Sequence, residues 1–211
     1  MHAASLRRYL TAATTAIVLL AAVVSTTSAR SFSSSSQTLR ATFTRVEVTN
    51  ELGFGTVSCT VTAEGSFHSR TIAKTAELIG AITRVDIRRP CTGGEVIART
   101  ETLPWHLTYS SFIGNLPNIT GLIVALSRYR FNFSIPGVCE GEYGSATDVT
   151  RGTLSREAGG AITTLTPSHD RSSLIRTNSG ICPSKEGMAV TEGTGNVTVL
   201  NSAARITVTL I

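Results

Sequence analysis

Two neighbouring runs with β-strand character span residues 101–135, and they constrain the fold more than any other part of the sequence. In the first run, large apolar side chains alternate with polar ones. One face would carry Trp105, Leu107 and Tyr109, and the other His106, Thr108 and Ser110. Alternation with a period of two is typical of a strand with one buried face. Gly, Asn and Pro residues then predict a turn before the second run.

The second run predicts one long strand whose two halves lie in different environments. One face is apolar almost throughout and would carry Ile123, Ala125, Tyr129, Phe131, Phe133 and Ile135. The opposite face begins with Leu122, Val124 and Leu126 and continues with Arg128, Arg130, Asn132 and Ser134. We therefore expect the first half to be buried on both faces and the second half to expose one face to solvent.

The rest of the chain repeats this strand-like pattern in shorter segments separated by turn residues. Regularly spaced strands of this kind predict an all-β fold, either an antiparallel sandwich or an antiparallel barrel of about ten strands. We expect one domain over residues 39–211. Within it, Thr71–Thr83 fits either a short helix or a strand, and we favour the strand because its neighbours are strands. Gly195–Leu200 and Ala204–Ile211 predict a C-terminal hairpin.

The N-terminal residues have the layout of a secretory signal peptide. Arg7 and Arg8 precede a short apolar run, which ends in small residues up to Ala29. We therefore expect residues 1–29 to be removed on export and the product to be secreted. The apolar run is shorter than the roughly 20 residues that span a bilayer, and we expect no membrane span in the mature chain. The Ser-rich segment 30–38 predicts a disordered leader.

Four cysteines remain after this cleavage: Cys59, Cys91, Cys139 and Cys182. An even number in an exported chain predicts two disulfide bonds, for which three pairings exist. We favour Cys59–Cys91 and Cys139–Cys182, because each bond would close a loop of a few strands. No CxxC pair and no closely spaced histidine accompanies them, so we expect no metal site.

The charge pattern argues against nucleic acid as a partner. The formal net charge of +5 would fall to +3 on loss of Arg7 and Arg8, with 17 basic residues against 14 acidic ones. The basic residues are scattered, and only Arg88 and Arg89 are adjacent in the mature part. A nucleic-acid surface concentrates Lys and Arg on one face among aromatic residues.

The sequence contains no motif of a known catalytic class: it lacks GxSxG, HExxH, a P-loop and a GxGxxG that opens a helix. We therefore expect no catalytic residue and no cofactor. His68, His106 and Glu101 would form a metal-binding or proton-shuttling cluster if their strands were neighbours, although solvated surface histidines are the simpler interpretation. Glu140 and Glu142 have the chemistry of a glycosidase carboxylate pair, but solvated charge in a loop is simpler.

Aromatic residues of the two central runs indicate a different kind of site. If the domain is a barrel with an open mouth, they would line a ligand cavity: Trp105, Tyr109, Tyr129, Phe131 and Phe133. His106 and His68 are the polar candidates for the same binding site. An ordinary filled core is the alternative interpretation of these aromatic residues.

Four phrases of the sequence carry a resemblance. They are EGSFHSR (64–70), TETLPWHLTY (100–109), GNLPNIT (114–120) and RITVTLI (205–211). With them, most of the mature chain resembles uncharacterised secreted β-rich proteins of bacteria. The resemblance implies export and an all-β fold, and it carries no site residue.

These observations favour a secreted, disulfide-stabilised β domain with a non-catalytic binding role. The expected partner is a cell-surface polymer, a protein or a small apolar ligand. Two alternatives stay open at this point: a structural, envelope-associated protein, and a hydrolase whose site the sequence does not reveal.

Overall fold

The chain folds almost entirely as antiparallel β-strands in the computed structural model, which describes residues 31–50, 55–73, 77–144, 149–168, 171–180, 182 and 188–211. The expected signal peptide, residues 1–29, lies outside this described part. The strands are β1 (Ser31–Ser34), β2 (Thr38–Asn50), β3 (Gly55–Phe67), β4 (Thr71–Ala73), β5 (Leu78–Thr92), β6 (Glu95–Ala98), β7 (Trp105–Asn115), β8 (Asn118–Ser127), β9 (Arg130–Ile135), β10 (Cys139–Gly144), β11 (Thr150–Arg156), β12 (Ala161–Pro167), β13 (Arg171–Gly180), β14 (Met188–Thr198) and β15 (Ile206–Leu210). A 3-10 turn at Thr100–Thr102 precedes β7.

Eight of the strands close into a barrel. Neighbours pair in the order β12, β11, β8, β7, β5, β3, β2 and β14, and β14 returns to β12 through the pairs Thr164–Asn196 and Leu165–Gly195. Closure of this kind removes the free edges of the sheet. The barrel alternative of the sequence analysis is therefore confirmed, and the sandwich alternative is wrong.

Two glycines help to bend the barrel wall where β3 pairs with β5. A Cβ atom added at Gly65 or at Gly80 would lie 2.3 Å from a backbone oxygen of the opposite strand. Register shifts accompany both glycines. Such bulges bend the strand and increase its twist, which a closing sheet requires.

Strands β1, β4 and β15 cover one end of the barrel, which we call the closed end. β1 pairs with β15 and with β4, and β15 pairs with β12. The Ser-rich segment 30–38 is therefore not a disordered leader, because Ser31–Ser34 form β1. The physical reason is that Phe32 is fully buried in the barrel core and that Ser34 beside it is also buried. One large apolar side chain and two pairing partners order this short segment.

A second sheet, formed by β6, β9, β10 and β13, joins the barrel where β13 pairs with β14. Val96, Phe133 and Tyr143 of this sheet form an apolar core with Val48 and Val57 of the barrel. We call this the sheet end of the molecule. The expected packing of Phe133 in a filled core is thus observed here.

The single long strand expected over residues 121–135 is divided into β8 and β9. Arg128 lies between them with a φ of 62°, a left-handed conformation that is uncommon for a residue other than glycine. The chain thereby leaves the barrel and enters the second sheet. In β8, Val124 faces the barrel interior, and Ala125 on the opposite face is also buried, as predicted for the first half.

Both predicted disulfide bonds are present. Cys59–Cys91 joins β3 to the end of β5 across 32 residues. Cys139–Cys182 joins β10 to the chain two residues after the end of β13, across 43 residues. No cysteine is free. The pairing chosen from the sequence is confirmed.

Two further local expectations have different outcomes. In the segment Thr71–Thr83, residues 74–76 lie outside the described part, while residues 71–73 form β4 and residues 78–83 begin β5, as favoured. The C-terminal hairpin is wrong: β15 pairs with β1 and β12 rather than with β14. The loop before β15, in which Asn201 has a φ of 60°, redirects the chain to the closed end.

Candidate ligand-binding cavity

The barrel contains a partly open cavity of about 240 Å³ on the side of the sheet end. Its wall includes inward residues from β2, β3, β5, β7, β8, β11 and β12, and the second sheet adds Val96, Ala98 and Phe131. An engineered cavity of roughly 150 Å³ is large enough to bind benzene. The cavity is therefore large enough for a small organic molecule.

The wall of the cavity is almost entirely apolar. Its described residues are aliphatic or aromatic apart from Cys59, Thr150, Arg151 and Gly152, and Cys59 is held in a disulfide bond. Thr150 and Gly152 pair with Leu126 and Val124, which also line the cavity. Arg151 lies between these inward positions and is exposed, so alternation along the strand directs its side chain outward. The backbone of Arg151, rather than its charged guanidinium group, therefore lines the cavity.

Three aromatic rings form one side of the wall. Trp105 and Tyr129 meet edge to face, with ring centroids 6.1 Å apart. Tyr129 and Phe131 are stacked, with centroids 6.3 Å apart. Both arrangements are favourable for aromatic pairs. We call these three residues the aromatic wall; all three are among the five aromatic residues predicted from the sequence to line a ligand cavity.

Local hydrogen bonds hold Trp105 in this position. The indole Nε1–H donates to Oγ1 of Thr102 at 2.9 Å, and Thr102 in turn donates to the backbone oxygen of Arg99 at 2.7 Å. The polar atom of the indole is therefore satisfied within the 3-10 turn. The apolar surface of the ring faces the cavity, and Trp105 is buried.

A hydroxyl pair lies next to the aromatic wall. Oη of Tyr129 and Oγ1 of Thr150 are 2.6 Å apart, within hydrogen-bond distance. Tyr129 follows the left-handed residue Arg128, and Thr150 is the first residue of β11. The sequence analysis missed Thr150. The available signal was the alternation of Thr150, Gly152 and Leu154, which places all three on one face.

Tyr109, another of the aromatic residues predicted to line a ligand cavity, lines a smaller void of about 30 Å³ near the closed end. Its ring lies 5.9 Å from that of Phe32. Leu39, Val124 and Leu154 line both spaces, so the two lie in the same barrel interior. Tyr109 packs the closed end and does not line the larger cavity.

The two histidines predicted as ligand-binding residues lie outside the cavity. His106 is half-buried and pairs with Ala81 and Ser127, and His68 is exposed after β3. Glu101 pairs with Arg99 in the 3-10 turn. A backbone hydrogen bond within that turn lowers the pKa of Glu101, and Arg99 lowers it further. The described residues contain no group of three or more His, Cys, Asp or Glu that could hold a metal ion.

The two carboxylates of β10, Glu140 and Glu142, lie in different environments. Glu142 is buried and forms an ion pair with Arg130, with Oε1 and Nη1 3.2 Å apart. Glu140 is exposed. Glu142 therefore helps to join β10 to β9 in the second sheet.

A polar groove of about 250 Å³ lies on the outer face of β2, β3 and β5. Glu64 is central to it and pairs with Arg40 at 2.8 Å and with Arg84 at 3.5 Å. Thr42, Thr62 and Asp86 complete the groove. Its central charges are thus paired within the protein.

Comparison of the chain with protein-family models, with curated proteins and with solved structures finds no match. Among the described residues, no helix combines the length and the apolar character required to cross a membrane.

Proposed function

We propose that the protein is a secreted, non-catalytic binding protein that carries a small apolar molecule inside its barrel. The observation that supports this function is the apolar cavity of about 240 Å³ beside Trp105, Tyr129 and Phe131. Cavities lined by apolar and aromatic side chains are typical of small-molecule binding sites in barrels.

The apolar character of the wall supports the same proposal. Protein interiors are normally packed as densely as organic crystals. A ligand that contacts the wall would gain dispersion contacts and would remove apolar surface from water.

The wall is also well suited to hold its shape. The barrel is closed, Cys59 in the wall is tied to Cys91, and the Trp105 ring is fixed by hydrogen bonds. A preorganised site loses less conformational entropy when a ligand binds.

The alternatives from the sequence analysis receive less support. A purely structural role predicts a filled core rather than a cavity. Neither His68 nor His106 lines the cavity, and Glu142 is engaged by Arg130, so a hydrolase would need other residues. The outer polar groove is the candidate surface for a polymer, but Arg40 and Arg84 already pair with Glu64 there.

Export is part of the proposal. Two disulfide bonds are typical of proteins that fold in an oxidising compartment, and residues 1–29 have the layout of a signal peptide. The resemblance to secreted β-rich bacterial proteins points in the same direction.

The test uses Trp105, the only tryptophan in the sequence, as a reporter inside the cavity. We expect n-butylbenzene, a neutral probe of about ten non-hydrogen atoms, to change the Trp105 emission in a saturable way. The expected Kd is about 10–200 µM, given typical binding energies per ligand atom. Native mass spectrometry of the purified protein should also show a retained mass that denaturation releases.

A folded protein that shows neither saturable emission change nor retained mass contradicts the proposal. The Trp105→Phe variant provides the control for the fluorescence measurement. This variant should lose the fluorescence response and still bind butylbenzene in a calorimetric titration.

A further inference from the structure

One of the two disulfide bonds, Cys59–Cys91, lies in the wall of the cavity. Cys59 is buried and lines the cavity, whereas Cys91 is partly exposed and is not among the described residues of the wall. We infer that this bond controls ligand binding: the oxidised protein binds its apolar ligand, and reduction of the bond releases it. This inference rests on the proposed function and specifies how the same site is regulated.

The bond lies where the pairing of β5 with β3 is interrupted. Between its pairs with Arg88 and Thr92, β3 advances by two residues, whereas β5 advances by four. Residues 89–91 therefore form a bulge opposite Cys59. The extra residues of a bulge are left out of the ladder of backbone hydrogen bonds. The disulfide bond is thus the covalent link that holds this bulge against the barrel wall.

The segment held by the bond leads directly into β6, which forms another part of the cavity wall. Val96 and Ala98 of β6 line the cavity. In the described part of the chain, β6 pairs with β9 of the second sheet and with no strand of the barrel. Apolar packing and an exposed ion pair, Arg89–Glu95, also connect it to the barrel, but exposed ion pairs contribute little stability. The disulfide bond therefore anchors the chain from which β6 extends along the cavity.

The bond opens and closes by thiol–disulfide exchange. A thiolate of a dithiol reductant attacks Sγ of Cys91, the more exposed of the two residues, and displaces the thiolate of Cys59, which takes up a proton. The second thiolate of the reductant then displaces Cys91, and the reductant leaves as a cyclic disulfide that has given up two electrons. In the reverse direction, glutathione disulfide accepts two electrons, the bond forms again, and two molecules of glutathione are released.

Loss of the bond weakens binding because the wall is no longer preorganised. Without the covalent link, the bulge and β6 are free to move relative to β3, and a ligand must order them again when it binds. The entropy lost in this ordering lowers the affinity. Disulfide bonds form in oxidising compartments, so the protein would acquire its full affinity for the ligand only after export.

The experiment titrates n-butylbenzene into the native protein and two double variants, with Trp105 emission as the readout and at a temperature at which circular dichroism shows each protein folded. We expect Cys59→Ser/Cys91→Ser to bind the probe at least about ten-fold more weakly than the native protein. Cys139→Ser/Cys182→Ser is the matched control, because it also loses one disulfide bond but neither cysteine is among the described residues of the wall. Its affinity should stay within about two-fold of the native value.

A redox cycle gives a second measurement that needs no substitution at Cys59 or Cys91. In the Cys139→Ser/Cys182→Ser variant, dithiothreitol acts on a single remaining bond, and mass spectrometry after alkylation shows when that bond is open. The affinity for butylbenzene should then fall at least about ten-fold and return after treatment with glutathione disulfide. In the Cys59→Ser/Cys91→Ser variant, dithiothreitol should change the affinity less than about two-fold.

The outcomes separate this inference from the proposed function. If butylbenzene fails to bind the oxidised native protein, the proposed function is wrong and the inference fails with it. If butylbenzene binds the native protein and folded Cys59→Ser/Cys91→Ser equally well, only the inference is wrong.

Equal losses of affinity in the two double variants also overturn the inference, because the loss would then follow from reduced stability rather than from the bond in the wall. If Cys59→Ser/Cys91→Ser does not fold, the redox cycle decides. An affinity that survives reduction, or that is lost only together with the β-sheet signal in circular dichroism, contradicts control by this bond.

Discussion

Tyr143 carries a hydroxyl group into the core between the barrel and the second sheet. Its side chain is fully buried, and its Oη lies 3.7 Å from Sγ of Cys139. Burial raises the pKa of Tyr143 to about 12, because the charged phenolate loses its hydration there. In an unfolded chain a tyrosine ionises near pH 10. The difference makes the stability of the protein depend on pH in the alkaline range.

The sign of this dependence follows from proton binding. Between pH 10 and 12 the unfolded state loses the Tyr143 proton while the folded state retains it, so a rising pH favours unfolding. We expect the free energy of unfolding to fall by up to about 1.4 kcal/mol per pH unit from this residue. Urea denaturation at several values between pH 9 and pH 11.5 measures the slope.

The Tyr143→Phe variant supplies the control for this prediction. Its free energy of unfolding should fall less steeply above pH 10 than that of the native protein. Some slope should remain, because burial also raises the pKa of Tyr109. Parallel slopes in the two proteins would show that Tyr143 ionises as readily in the folded state as in the unfolded one.

At the scale of single residues, alternation predicted burial better than it predicted a binding site. It placed Trp105, Leu107 and Tyr109 on the inner face, and all three are buried. It could not distinguish Trp105, which lines the large cavity, from Tyr109, which packs the closed end, because both are inward aromatics of one strand. Thr150 was missed because a single inward threonine in a polar strand resembles an exposed one.

At the scale of elements, the Cys139–Cys182 bond fastens a segment that the barrel pairing alone leaves less constrained. Cys139–Cys182 attaches the chain after β13 to β10 of the second sheet, and in the described part of the chain β13 pairs with β14 at Arg171 and Ser172. In the loop-entropy account, a bond that closes a loop of this length stabilises a protein by about 2–4 kcal/mol. The second sheet therefore depends on this bond.

We expect the double variant Cys139→Ser/Cys182→Ser to lose about 3 kcal/mol of unfolding free energy. The corresponding decrease in Tm is about 6–12 °C for a domain of this size. Differential scanning calorimetry under non-reducing conditions measures the change. Titration of the native protein with a reductant separates the loss of the bond from the serine substitutions. An unchanged Tm in the double variant would show that the second sheet is held by its apolar core alone.

Elements were predicted well where the pattern is local and poorly where the chain changes direction. The division of 121–135 at Arg128 was missed, because apolar alternation continues on both sides of the break and a left-handed arginine has no sequence signature. The C-terminal hairpin was wrong for a related reason. β14 and β15 are neighbours in sequence, but the distant strand β1 provides the pairing partner.

At the scale of the whole molecule, closure of the barrel depends on contacts that no local pattern encodes. The sheet closes when β12 meets β14, and these strands are separated in sequence by β13. Inward and outward residues alternate in the same way in a sandwich and in a barrel. The all-β class was therefore predictable, whereas the choice of a barrel, and with it the cavity, required the structure.

The cavity itself can be tested by filling it. Ala63 on β3 lines the wall, so Ala63→Leu would place additional carbon atoms in the empty space. We expect this variant to bind n-butylbenzene at least about ten-fold more weakly. It should also be more stable than the native protein without ligand, by about 1–2 kcal/mol, because added methylene groups become buried without displacing others. Thermal unfolding with and without probe measures both effects.

Ala81→Leu is the matched control for this last prediction, because Ala81 on β5 pairs with His106 and lies outside the cavity wall. This control should retain the native affinity for butylbenzene. Butylbenzene at about one hundred times its Kd should raise the free energy of unfolding of this control by about 2.7 kcal/mol, as in the native protein. Ala63→Leu should show little of this ligand-dependent stabilisation. If Ala63→Leu instead binds the probe like the native protein, the probe occupies another site. If it is strongly destabilised, the added atoms meet a filled interior. Either result would contradict the proposal that the barrel functions by binding a ligand in this cavity.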